Sequence, residues 1–118
     1  VMSILDARMG EFNCGCYTVD HNGAIASEFS DRLLTAADAK EWVETLSPEV
    51  IVGDGEALLA SGLVWSGTLK HMFPDAIDLL GIAGSHYRND QTVSISAVDL
   101  VYLRGADAWQ KRKRIRDA

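Results

Sequence analysis

Apolar positions recur along this chain with two different periods, and the change between them divides it. The opening run Val1-Met2-Ser3-Ile4-Leu5 reads as a short buried strand over residues 2–6, and residues 10–19 read as a second strand. Asp20-His21-Asn22-Gly23 then interrupts the pattern. Its Asn-Gly pair supplies the positive-φ positions of a tight hairpin, so residues 24–29 are expected to return as a third strand. Three sequential strands with short connections predict an antiparallel meander.

The helical period takes over next. Thr35 followed by Asp38 resembles a capping box with Asp in place of the usual Glu or Gln, and Ala39, Trp42, Val43 and Leu46 fall on one helical face. Ser47-Pro48 stops that helix near residue 46. Glu49-Val50-Ile51-Val52 is a fourth strand, too apolar to face water on either side, which predicts helices on both faces of the sheet. Gly53-Asp54-Gly55 ends it, and a short helix is expected through residue 60. Residues 61–72 carry no legible period. Pro74 suits the first turn of a further helix, with Ala76, Ile77, Leu80, Gly84 and Tyr87 as its buried stripe and Asn89-Asp90 as its end. Residues 91–97 read as extended or loop, residues 100–103 as a short final strand, and residues from 106 onward as helix-prone and highly charged.

The expected order is therefore β-β-β-α-β-α-α-β. This is the α/β arrangement called ribonuclease H-like: a mixed sheet with an antiparallel three-strand meander and helices on both faces. It recurs in both halves of the actin, sugar-kinase and Hsp70 superfamily.

Composition adds bounds. The 118 residues suffice for one ordinary domain with its own core, and no stretch reaches the ~18 apolar residues of a membrane-spanning helix. The net charge of −6 conceals an asymmetry. Residues 1–103 carry five basic side chains against 15 acids, whereas residues 104–118 hold Arg104, Lys111, Arg112, Lys113, Arg114 and Arg116 against Asp107 and Asp117. A basic tail on an acidic body concerns partners rather than fold. It is read first as a solvated helical or disordered terminus and second as a nucleic-acid contact. Cys14 and Cys16 share a strand face and suit small buried thiols in a reducing cytoplasm; a disulfide across one residue is strained.

Several chemistries lack support. His21, His71 and His86 form no metal-ligand spacing, and no serine or cysteine sits in a nucleophile motif. No catalytic or metal-ligating residue is assigned, and no cofactor. Asp6, Arg8 and Glu11 surround a turn at Gly10. They are a ligand-site candidate if Asp6 ends its strand pointing into a cleft; otherwise Gly10 takes an awkward φ and Arg8 pairs with Asp6 or Glu11 across a hairpin. Gly53 and Gly55 follow a strand and precede a helix, where backbone N–H groups can meet an anion, but Asp54 between them repels phosphate and favours simple turn geometry. Tyr102 and Arg104 lie either on a docking strand or clamp against the first half of the protein, or on a final edge strand with a half-buried tyrosine. Trp65 is a lid over the core or a partner contact.

Three ordered blocks carry a family resemblance. Leu5-Asp6-Ala7-Arg8-Met9-Gly10-Glu11 with Tyr17, then Val52-Gly53-Asp54-Gly55, then Val101-Tyr102-Leu103-Arg104 with Ala108-Trp109-Gln110-Lys111, together resemble the second half of the TsaB (YeaZ) group in the glycoprotease-like family. Leu100 departs from the proline usual before the last block, and the basic run from Arg112 to Arg116 is longer than the family's. The resemblance implies that residues 1–105 are the C-terminal domain of a two-domain protein whose N-terminal half is absent here, with residues 106–118 as a basic tail. It implies an accessory, non-catalytic cytoplasmic subunit. Such a subunit supports threonylcarbamoyl transfer to the adenine beside the tRNA anticodon, with a TsaD-type catalytic subunit and a TsaE-type ATPase as partners. Transfer RNA is then met indirectly, with the tail as its candidate contact, and a homodimer stays open. The alternative is the second half of an ATP-dependent actin-fold phosphotransferase.

Overall fold

The computed structural model describes residues 1–104. The elements run β1 (Met2–Asp6), β2 (Glu11–Val19), β3 (Ile25–Thr35), α1 (Ala36–Leu46), β4 (Val50–Gly53), α2 (Gly55–Ala60), β5 (Thr68–Lys70) and α3 (Leu79–Arg88), with single 3-10 turns at Ala76–Asp78 and Ile95–Ala97. One mixed sheet has the order β3-β2-β1-β4-β5. The pairs β1–β2 and β2–β3 are antiparallel, and β1–β4 and β4–β5 are parallel. The meander is present as read, and the fifth strand lies in the stretch that showed no period.

Register explains the core. Met2 pairs with Cys16 and Ile51, and Ile4 with Cys14 and Gly53, so these residues share one face. Onto that face α1 delivers Ala39 and Val43, and α2 delivers Leu58; with Phe12 and Leu63 they form the buried core. Cys14 and Cys16 are both free and buried, as their spacing suggested. The expected helices on both faces are thus met on one face by α1 and α2. Val50 and Val52, on the other, are half-buried, and α3 contributes no buried residue.

Local signals account for most element ends. Thr35 caps α1 by accepting from the Asp38 N–H at 3.2 Å, but its hydroxyl donates to the Asp38 carboxylate, so the acid does not reach back to the backbone as a capping box would. Ser47 closes the helix in the left-handed region, its N–H bonding to the Val43 carbonyl, and Pro48 follows. In the β2–β3 connection only Gly23 takes a positive φ, of 81°. The Asp20 carboxylate holds the turn by accepting from the N–H groups of Asn22 and Ala24, each at 2.8 Å. The third strand runs on to Thr35, well beyond the expected residue 29, with register shifts opposite Cys14–Tyr17. Arg32 lies on this edge strand with its guanidinium 4.9 Å from the Trp42 ring, joining strand edge to helix.

Two expectations fail beyond β5. The stripe read as buried on the helix after Pro74 is exposed: Ile77, Leu80 and Tyr87 are 66%, 69% and 77% accessible. Residues 100–103 form no strand; both flanks of the sheet are taken by β3 and β5, and Leu100, Val101 and Tyr102 remain exposed. The basic tail from Lys111 and the Trp109 block lie outside the described residues.

Candidate functional site

The three mutually parallel strands β1, β4 and β5 end on the same side of the sheet. In open α/β sheets the crevice outside the carboxyl ends of parallel strands is where ligands are held. Here Asp6 ends β1, Asp54 follows β4, and His71 follows β5. All three line one open cleft of about 560 Å³, with Arg8, Met9, Gly10, Phe12, Glu56 and Ala57 completing its wall. Asp6 therefore sits at the mouth of the sheet. It stands at a strand end and lines a cleft.

The two aspartates of this mouth accept from the chain's own backbone. The Asp6 N–H donates to the Asp54 carboxylate at 2.8 Å, and the Asp6 carboxylate accepts from the Arg8 N–H at 2.7 Å. Arg8 and Asp6 side chains approach only to 4.0 Å, both largely in solvent, a pair worth well under ~1 kcal/mol. Glu11 takes no part in pairing with Arg8. Its carboxylate is bound by Arg104, whose guanidinium also donates to the carbonyls of Ala7 at 3.0 Å and Arg8 at 3.2 Å. Arg104 thus bonds to the first hairpin of this same chain, while Tyr102 is exposed.

The turn itself is unusual backbone. Arg8, Met9 and Gly10 have φ values of 67°, 57° and 75°, so two non-glycine residues sit consecutively in the left-handed region. The awkward conformation expected of Gly10 extends back to both its predecessors. Arg8 and Met9 project from this turn into solvent, 88% exposed at the Arg8 side chain and 75% at Met9.

Gly53 and Gly55 sit in the loop under Asp54 for reasons of space. Gly53 has φ of 97°, and a Cβ there would collide with the Ile4 carbonyl oxygen. A Cβ at Gly55 would press on Ile51 and Leu69 in the core. The Asp54 N–H donates to the Ile4 carbonyl at 2.7 Å, so that amide is already spent inside the sheet. His71 and Glu56 joined the cleft without being singled out as site residues. For His71 the missing signal was β5: without that strand, nothing placed residue 71 at a strand end. Trp65 resolves toward the lid: it packs on the core and its indole N–H donates to the Pro48 carbonyl at 2.7 Å. Among the described residues no cluster of three or more His, Cys, Asp or Glu has the geometry to hold a metal ion.

Sheet order, the meander and the placement of α1 and α2 define the class: a ribonuclease H-like, actin-type half-domain. Two solved structures share it at TM-score 0.66. One is an uncharacterized protein with similarity to peptidase YeaZ from Pseudomonas aeruginosa, 24% identical over 87% of this chain and 48% of that one. The other is YeaZ from Pseudomonas aeruginosa, 23% identical over 86% of this chain and 48% of that one. No family model matches the chain. In sequence it is 34% identical over 117 residues, 94% of its length, to the tRNA threonylcarbamoyladenosine biosynthesis protein TsaB of Escherichia coli K12. In sequence and in fold the chain is similar to TsaB (YeaZ) proteins and fits one domain of such a protein. It spans about half the length of the curated relative, 50%.

Proposed function

We infer that this domain serves threonylcarbamoyladenosine formation in tRNA as part of a non-catalytic TsaB-type subunit. It works beside a TsaD-type catalytic subunit and a TsaE-type ATPase in the cytoplasm. The observation that carries this reading is the identity of 34% to TsaB across 94% of the chain. The geometry of the cleft supports the accessory role. Asp6 and Asp54 spend their carboxylates on the chain's own N–H groups, and the neighbouring Glu11 is bound by Arg104, which suits a shaped docking surface better than a set of reacting groups. The exposed apolar side chains between Met72 and Tyr102 supply a second contact surface of the kind that subunits and neighbouring domains cover. No described helix is long and apolar enough to cross a membrane.

A phosphotransferase would need open amides in the Gly53–Gly55 loop, and the Asp54 amide is bonded to Ile4. The reading is tested with the domain carried in a protein of its relatives' full length. That protein should restore threonylcarbamoyladenosine to ANN-decoding tRNA in cells lacking TsaB and should co-purify with the TsaD-type subunit. Failure of both, together with ATP hydrolysis that Asp6→Ala abolishes, would establish the phosphotransferase instead.

A further inference from the structure

We propose that Arg104 is a positioning residue that holds the turn at residues 7–10 in its left-handed form and so couples the segment 73–104 to the shape of the cleft. Three observations meet at one side chain. A single guanidinium nitrogen bonds the carbonyls of Ala7 and Arg8 and the Glu11 carboxylate, three acceptors drawn from one turn. That turn strings Arg8, Met9 and Gly10 through positive φ, a conformation that side-chain-bearing residues keep only where their surroundings over-determine it. Within the turn, the Ala7 N–H reaches the Glu11 carbonyl at 2.9 Å and the Glu11 N–H reaches the Arg8 carbonyl at 3.1 Å. These bonds close the loop but leave the carbonyl of Ala7, and the remaining lone pair of Arg8, for a donor from elsewhere. Arg104 is that donor, and its charge is matched by Glu11.

The second half of the proposal follows from what else ties down the segment. Among the described residues, no hydrogen bond other than those of Arg104 joins residues 73–104 to residues 1–70. The same contact that sets the turn therefore sets where a long exposed segment returns to the sheet. Anything that displaces the segment also releases Arg8 and Met9 at the cleft wall. This goes beyond the proposed function, because it holds whatever the cleft receives.

Native-state hydrogen exchange on the 118-residue chain tests it, reading the Ala7 and Glu11 amides against Tyr17, whose N–H bonds to Val1 at the far end of the β1–β2 pair. In Arg104→Gln the two turn amides should exchange about tenfold faster while Tyr17 is unchanged. Glu11→Gln should show a smaller rise of the same pattern, and Arg104→Lys should retain part of the protection. The exchanged pair Glu11→Arg with Arg104→Glu should not restore it, because a carboxylate at 104 cannot donate to the two carbonyls. Trypsin cleavage after the exposed Arg88 should quicken in Arg104→Gln. Unchanged turn amides, an equal rise at Tyr17, full rescue by the exchanged pair, or unaltered cleavage at Arg88 would each overturn the proposal.

Discussion

The carboxylate of Asp54 accepts a hydrogen bond from the backbone N–H of Asp6 at 2.8 Å, and the N–H of Asp54 returns one to the carbonyl of Ile4 at 2.7 Å. One residue in a glycine-flanked loop thus braces the end of β1 from both directions. Asp54→Ala should cost about 0.5–1.5 kcal/mol, the net worth of a hydrogen bond whose donor water can still reach, measured as a lower urea midpoint with unchanged slope. Asp54→Asn keeps an acceptor oxygen and should lose less than half of that. If Asp54 were a ligand group only, both variants would leave stability untouched.

Met9 should prove worse for stability than glycine. Its φ of 57° costs a side-chain-bearing residue roughly 1–2 kcal/mol, and 75% of its surface is exposed, so little packing is lost on removing the side chain. Glycine's greater freedom in the unfolded chain takes back part of this gain, so Met9→Gly should stabilise by about 0.5–1 kcal/mol, read from thermal or urea unfolding. If the cleft receives a partner, the same variant should weaken partner binding while it raises the melting temperature. That opposition is expected where strain is kept for function.

Legibility followed the range of the interactions. Most of residues 1–60 is readable because local signals and packing agree there, apart from the six residues by which β3 outruns its expected end. Asn22-Gly23, Thr35 with Asp38, Ser47-Pro48 and Gly53-Asp54-Gly55 each mark a turn or cap that the structure contains. β5 was not readable because it is three residues long and only Leu69 points toward the core, too little to show a period. The spacing of the stripe on α3 predicts a buried face. Spacing reports that a face is apolar, not that this part of the chain covers it. In the cleft, Asp6 was legible as a strand end, but the pairing of Glu11 with Arg104 spans 93 residues, and no local pattern joins positions so far apart.

Alkaline pH should destabilise the domain through the buried Cys14 thiol and the partly buried Tyr17 phenol. Burial pushes the Cys14 thiol from its ordinary value of 9.0 up to about 11. Burial, then the hydrogen bond to Asp31, raises the Tyr17 phenol from 10.0 to about 12. In both cases the folded state keeps a proton that the unfolded chain has released, so the stabilisation is complete below pH 9 and falls as pH rises, from 9 through 11 for the thiol and from 10 through 12 for the phenol. Urea midpoints between pH 8 and 11 should therefore decline, and Cys14→Ala should flatten the decline that begins near pH 9. The same burial should leave Cys14 unreactive to iodoacetamide in the native protein. A flat profile in the unsubstituted chain would show that neither group titrates with folding.

The segment from Met72 to Tyr102 should govern association and contribute little to the fold of this chain. Ile77, Leu80, Val93, Ile95, Val98 and Val101 are all at least 63% exposed, a run of apolar surface beyond what monomeric proteins commonly leave in water. Such side chains bury nothing in the described domain, so Ile77→Ser with Leu80→Ser should change its unfolding free energy by no more than about 0.5 kcal/mol. The unsubstituted chain should bind a hydrophobic dye and sediment with a concentration-dependent mass, and the double variant should reduce both. In a protein of its relatives' full length the same two substitutions should instead lower the melting temperature or weaken capture of the TsaD-type subunit. Covering the surface in that setting would make each exposed leucine-sized side chain worth about 1.5–3 kcal/mol of burial. A double variant that destabilises the 118-residue chain itself by several kcal/mol would mean that the helix packs on the sheet, and the apolar face would then belong to this domain's own core.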